Sequence, residues 1–102
     1  MMQVSLQTLQ LLQVFMEDPS QPRYGLELAK RTGLKSGTVY PALGRLEHEG
    51  WLTSAVEEID PKAAGRPARR IYTLTSAGMA GATAAARRYQ AALPVTLKER
   101  FA

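Results

Sequence analysis

No cysteine occurs among the 102 residues, which excludes disulfides and thiolate metal sites. Histidine occurs once, at His48, and a lone histidine has no ligand partners to complete a metal site. No apolar run approaches the roughly 20 residues of a membrane span. The opening MMQVSLQ lacks the basic n-region of a secretory signal. The expectation is a cytoplasmic protein without a membrane partner. There is also no glycine-rich phosphate loop, no HExxH and no Ser/His/Asp set. An enzyme therefore has nothing to rest on, and no cofactor or metal is expected.

What is present is a mild basic excess, 13 Lys and Arg against 9 Asp and Glu, for a net charge of +4. That balance favours a polyanionic partner. The length allows one domain, residues 1–102, with a modest core. A chain this short buries only about 60–70% of its unfolded surface, so dimerisation would add stability.

Val4 to Glu17 contains neither Gly nor Pro and reads as a helix. Gln3, Gln7, Gln10 and Gln13 form one polar stripe. Leu6, Leu9, Leu12 and Met16 line another face, with Leu11 and Phe15 beside them. An apolar arc this wide must bury against two things, read here as its own domain and a partner chain, the alternative being the central helix of a monomer. Asp18 to Pro22 holds two prolines and must be a loop. A second helix is expected from Gly25 to Arg31, stopped at Thr32-Gly33, with Leu34 plugging the turn. The third runs from about Lys35–Thr38 to Glu49, capped by Ser36 or Thr38, with Pro41 early in it. Val39, Ala42, Leu43 and Leu46 form its core face.

Trp51–Ile59 and Arg70–Leu74 read as two strands around a loop, Asp60 to Ala68. Trp51, the single tryptophan, reads as a core residue at the strand start. Thr75 caps a last helix, Ser76 to about Leu93, which Pro94 ends before a tail at 94–102. Met79, Ala82, Ala86, Tyr89 and Leu93 make its packing stripe. Its small residues bury little area, so this helix is expected to pack on the first helix of a second subunit. The predicted interface comprises Leu6, Leu9, Leu12, Met79, Ala82, Ala86, Tyr89 and Leu93.

Helix, turn, helix and hairpin in this order define a winged helix-turn-helix, mainly α within an α+β class. The DNA-binding unit is about 4–74, and the dimerisation helix 75–93. Lys35, Ser36, Gly37, Thr38, Tyr40, Pro41 and Arg45 are the candidate contacts on the third helix. Small side chains at a helix N-terminus let free amides approach phosphate. Thr38 and Tyr40 offer hydroxyls, and Arg45 can reach a phosphate or a guanine. Tyr24 and the neighbouring Arg23 stand where the first helix of the pair meets the backbone. Lys30 and Arg31 read as structural, at the favourable end of a helix dipole.

Lys62, Arg66, Arg69 and Arg70 surround the hairpin tip, where Gly65-Arg66-Pro67 reads as an extended point. Glu57, Glu58 and Asp60 stand opposite and can pair with Arg69 or Arg70, which leaves Arg66 as the arginine least neutralised. Arg66 and Arg69 are the candidate wing contacts. Two other readings compete: a winged-helix adaptor whose third helix binds protein, and a small-molecule module without DNA binding.

Together these segments resemble the PadR family of bacterial transcriptional regulators, in its short form. The residues are Tyr24-Gly25-Leu26-Glu27-Leu28, GTxYPxLxRLExEG from Gly37 to Gly50, and GRPxxxxYxLTxxG from Gly65 to Gly78. The resemblance covers about Leu6 to Tyr89 and implies a homodimer, mostly a repressor, on a double-stranded inverted-repeat operator. It maps Gly37, Thr38, Tyr40, Pro41 and Arg45 onto the recognition helix and Arg66 onto the wing. Some short members sandwich a small aromatic or drug-like effector with aromatics on the last helix, including a tryptophan. Here that helix is alanine-rich and Trp51 lies elsewhere, so no pocket is assigned. Lys35 stands where the family often has a serine cap, which leaves capping to Ser36.

Overall fold

A computed structural model describes residues 2–93; Met1 and the tail expected at 94–102 lie outside the described residues. Helix α1 spans Leu6–Glu17, strand β1 Arg23–Tyr24, α2 Gly25–Thr32 and α3 Ser36–His48. Strand β2 follows at Leu52–Val56, a one-turn α4 at Pro61–Ala64, β3 at Arg70–Leu74 and α5 at Ser76–Ala92. The expected helices and both hairpin strands are present, with β2 three residues shorter at its far end. Two elements were not expected: β1 and α4.

Helix α1 starts where Ser5 Oγ accepts from the Thr8 amide at 3.1 Å. Leu11, Leu12 and Phe15 are fully buried against Leu28 of α2, Val39, Leu43 and Leu46 of α3, and Leu52 of β2. Each such side chain stabilises by about 1.5–3 kcal/mol on burial, so α1 is the floor on which the helix pair sits. Gly33 ends α2 at φ 74°, its N–H bonded to the Ala29 carbonyl at 2.9 Å. Leu34, partly buried, packs against the core from the three-residue turn, as expected.

The sheet is antiparallel with order β1-β3-β2. Arg23 pairs with Tyr72 and Tyr24 with Ile71, while Leu52 to Val56 run against Leu74 to Arg70. The returning strand of the wing is therefore the central strand. Strand β2 ends at Val56, but the Glu57 amide still bonds the Arg69 carbonyl at 2.8 Å.

Helix α5, capped by Thr75 on the Gly78 amide, lies along α1 of its own chain. The Tyr89 hydroxyl donates to the Val4 carbonyl at 2.9 Å. Where the last helix was expected to pack on the first helix of a second subunit, in the protomer it lies along its own α1. Leu12 and Ala82, expected at a subunit interface, are 0% exposed in the protomer's own core, and Leu9 is also buried. Leu6 is 56% exposed and Met79 36%, with Ala86, Tyr89 and Leu93 half-buried beside the same edge. The small residues of α5 serve Trp51. A Cβ on Gly81 would enter its ring, and one on Gly78 would strike its carbonyl.

Candidate nucleic-acid interface

The N-terminus of α3 is open. Lys35 is the N-cap residue and makes no side-chain cap, so neither Ser36 nor Thr38 caps the helix. The Thr38 and Val39 amides bond the Lys35 carbonyl at 2.9 and 3.0 Å, which brings them into the helix ladder. Ser36 and Gly37 lie at the exposed tip, where the helix dipole favours an anion. Pro41 is the sixth residue of α3, beyond the first turn rather than in the position where a missing N–H is harmless. Its absent donor leaves the Gly37 carbonyl without the usual helical partner. Pro41, Gly44 and Arg45 are exposed, Thr38 is half-buried, and Arg45 has no ion pair among the described residues.

Tyr40 is 47% exposed and its ring lies flush on Gly25, where a Cβ would come within 2.5 Å of it. Tyr24, Gly25, Leu26, Tyr40, Arg69 and Arg70 line a cleft of about 140 Å³ between the helix pair and the wing base. The Arg69 guanidinium sits 4.0 Å from the centroid of the Tyr24 ring, a cation–π arrangement. The structure thus brings Tyr24, Tyr40 and Arg69 together, three candidates drawn from three different elements. A larger cleft, about 310 Å³, lies between the N-terminal segment and the end of α5, lined by Gln3, Val4, Arg88, Tyr89 and Ala92.

The wing differs from the extended tip expected. Asp60 caps α4 through the Lys62 amide, Pro61 opens it and Gly65 closes it. Arg66 then turns back on Glu57, with contacts of 2.7 and 3.1 Å to the two carboxylate oxygens and 3.0 Å to the Pro67 carbonyl. The arginine expected to be least neutralised is the paired one. Glu57 is the nearest wing carboxylate once α4 folds the loop back. The side-chain bond from Arg66 holds the Glu57 carboxyl below its ordinary range, with the Arg69 amide assisting, and raises the Arg66 guanidinium in turn. Arg69 has no ion pair among the described residues, and Arg70 donates to Ser54 Oγ at 3.1 Å.

Arg23 is corrected too. It is buried, paired with Glu27 at 2.9 Å and near Glu17 at 4.0 Å, so it braces β1 on α2 rather than offering a phosphate contact. Arg31 pairs with Glu17 as a structural residue should, and that bond lowers the Glu17 carboxyl. Burial raises the Tyr72 hydroxyl, with the charge of Glu47 adding to it. Sequence reasoning places Glu57 in the wing but gives it the wrong partner, Arg69 or Arg70 in place of Arg66. The signal was present in the Asp60-Pro61…Gly65 pattern, a helix start and stop that folds Arg66 back.

Helix pair, three-stranded sheet and wing define a winged helix-turn-helix protein. The chain belongs to the transcriptional regulator PadR-like family, whose model matches residues 11–84. That is a family of regulators and not of enzymes. No curated protein matches the chain. Among solved structures, AbfR of Staphylococcus epidermidis in its disulfide form is similar at 24% identity and TM-score 0.69, over 94% of this chain and 65% of that one. Reduced AbfR bound to DNA is similar at 24% identity and TM-score 0.71, over 94% of this chain and 62% of that one. A PadR family transcription regulator from Clostridium difficile R20291 is similar at 23% identity and TM-score 0.70, over 84% of this chain and 88% of that one. The chain spans just under two thirds of the AbfR length. At these identities the likeness is one of fold.

Proposed function

We propose that this chain is a cytoplasmic, sequence-specific DNA-binding repressor acting as a homodimer on an inverted-repeat operator. The observation that carries the reading is the N-terminus of α3, without a side-chain cap and small and uncharged at Ser36 and Gly37, beside exposed Tyr40 and an Arg45 with no ion pair among the described residues. In this reading α3 enters the major groove. Ser36 and Gly37 bring amides to a phosphate, Lys35 adds charge, Thr38 and Tyr40 meet base edges or phosphate, and Arg45 reaches guanine or phosphate. Pro41 faces the groove wall. Tyr24 and Arg69 lie along the backbone at the wing base. That AbfR has been solved on DNA supports the assignment by fold.

Residues of about 4–74 form the DNA-binding unit and 75–93 the dimerisation helix. The proposed subunit contact uses the open edge of α1 and α5, Leu6 and Met79 with Ala86, Tyr89 and Leu93 around them. Two recognition helices would then lie about 34–36 Å apart, one turn of duplex. Trp51 packs on Gly81, and Tyr89 is the aromatic residue of α5 that lines the larger cleft.

The test is fluorescence anisotropy with the gene's own upstream DNA and a scrambled duplex across a salt series, alongside the solution mass. A dimer that prefers the upstream DNA and loses affinity steeply with salt supports the reading. A monomer at micromolar concentration sinks the two-half-site arrangement. Weak salt dependence without sequence preference turns the assignment toward a protein-binding adaptor, and ligand binding without duplex binding toward a small-molecule module.

A further inference from the structure

Glu57 is the wing carboxylate that engages both Arg66 and the Arg69 backbone. Its carboxylate takes the Arg66 guanidinium in a two-pronged pair, at 2.7 and 3.1 Å. The same Oε1 accepts the Arg69 amide at 3.0 Å, while the Glu57 amide donates to the Arg69 carbonyl at 2.8 Å. Both backbone groups of Arg69 are thus fixed to one residue across the loop. Its side chain is left over the Tyr24 ring, without a carboxylate partner among the described residues.

We propose that Glu57 and Arg66 are positioning residues that hold Arg69 on Tyr24, and that Arg69 is the wing arginine that meets a DNA phosphate. The proposal rests on the DNA-binding reading above. Charge accounts for the division of roles. Arg66 and Glu57 cancel each other at short range, so a polyanion approaching the wing base sees Arg69. Withdrawing Arg66 to contact DNA would break a charge-assisted bidentate pair and leave a carboxylate facing phosphate. The cleft between Tyr24, Tyr40 and Arg69 lies where the helix pair and the wing meet, so one phosphate there could touch both elements.

Two readouts test this on the full chain. The first is amide hydrogen exchange at Glu57 and Arg69 without DNA, in wild type, Glu57→Gln, Arg66→Ala and Arg66→Lys. The clamp predicts faster exchange at Arg69 in the first two variants and partial recovery in Arg66→Lys, which keeps the charge but loses one prong. Unchanged exchange at Arg69 in Glu57→Gln overturns the clamp. The second is duplex anisotropy across a salt series. Glu57→Gln should weaken binding about fivefold although it removes a negative charge. The double variant with Arg66→Ala should be no weaker than Arg66→Ala alone. Neither should change the salt slope, whereas Arg69→Ala should reduce it by about 1. Tighter binding by Glu57→Gln, or a slope reduced by about 1 in Arg66→Ala, overturns the proposal because Arg66 then reaches DNA itself. Wild type that binds no duplex refutes the DNA reading and the role of Arg69, while the exchange data still decide the clamp.

Discussion

Tyr40 rests on Gly25 at the exposed side of the helix pair, whereas Trp51 rests on Gly78 and Gly81 where α5 meets the sheet. Both seats need glycine because an aromatic residue comes too close for a Cβ. The neighbours differ in kind. At Gly25 the crowding atoms are the far edge of a half-exposed ring, which can swing into solvent. At Gly78 the crowding atom is the Trp51 carbonyl oxygen, and that carbonyl also accepts the Thr75 amide at 3.0 Å. Gly81 stands between these cases, facing a Trp51 ring that is packed against the core. One seat is yielding and presents its ring outward; the other is rigid and ties β2 to α5.

The largest effect should come from Gly78→Ala. Helix propensity alone would favour alanine by about 1 kcal/mol. Backbone overlap with Trp51 outweighs that, and a net loss of about 3 kcal/mol or more is expected in urea unfolding. A neutral or stabilising result would break the distinction between the seats. Gly81→Ala should cost less, about 1–3 kcal/mol, because the ring can tilt. Emission from Trp51, the single tryptophan, should shift in that variant as the ring gains solvent.

Gly25→Ala should cost under about 1 kcal/mol in stability but displace Tyr40, with a loss of about 1–3 kcal/mol in operator affinity and less on random duplex. Equal losses on both duplexes would sink the base-reading role of Tyr40. Combining Gly25→Ala with Tyr40→Ala should cost no more affinity than Tyr40→Ala alone.

Acid should separate the two regions with the smallest effect. Glu57 titrates below its ordinary value of 4.5 because Arg66 holds its charged form. Its contribution is therefore fully present above that value and is lost as pH falls through the lower folded value. Amide protection in the wing should decline there while Trp51 emission holds, since the atoms nearest Gly78 and Gly81 belong to Trp51 and Leu74. Loss of both signals together would mean that the wing and the Trp51 seat unfold as one.

The helices were legible because their cores repeat at helical spacing and their stops are glycines and prolines. The short β1 was not, since two residues carry no period and its existence depends on an open edge of β3. The cap of α2 was also hidden. Glu27 accepts the Tyr24 amide at 3.4 Å, but tyrosine is not a residue that announces a capping box. At the interface, composition and spacing locate the arginines but pick the wrong one as free, since Arg66 and not Arg69 or Arg70 is paired with Glu57. That depended on a one-turn helix bending Arg66 toward Glu57 and away from the tip. The α1 face reads as too wide for one domain, yet it is largely covered by α2, α5 and β3 of the same chain.

Strand β3 lies between β1 and β2, so the chain leading from Arg69 and Arg70 away from the wing tip is paired with β2 along its length and with β1 as well at Ile71 and Tyr72. Fixing the backbone of one residue costs about 1–2 kcal/mol in entropy. For the five residues of β3 that cost is incurred when the protein folds, not when a ligand arrives. Association should then proceed without a slow ordering phase, and its heat-capacity change should report the surface covered rather than a segment condensing onto its target.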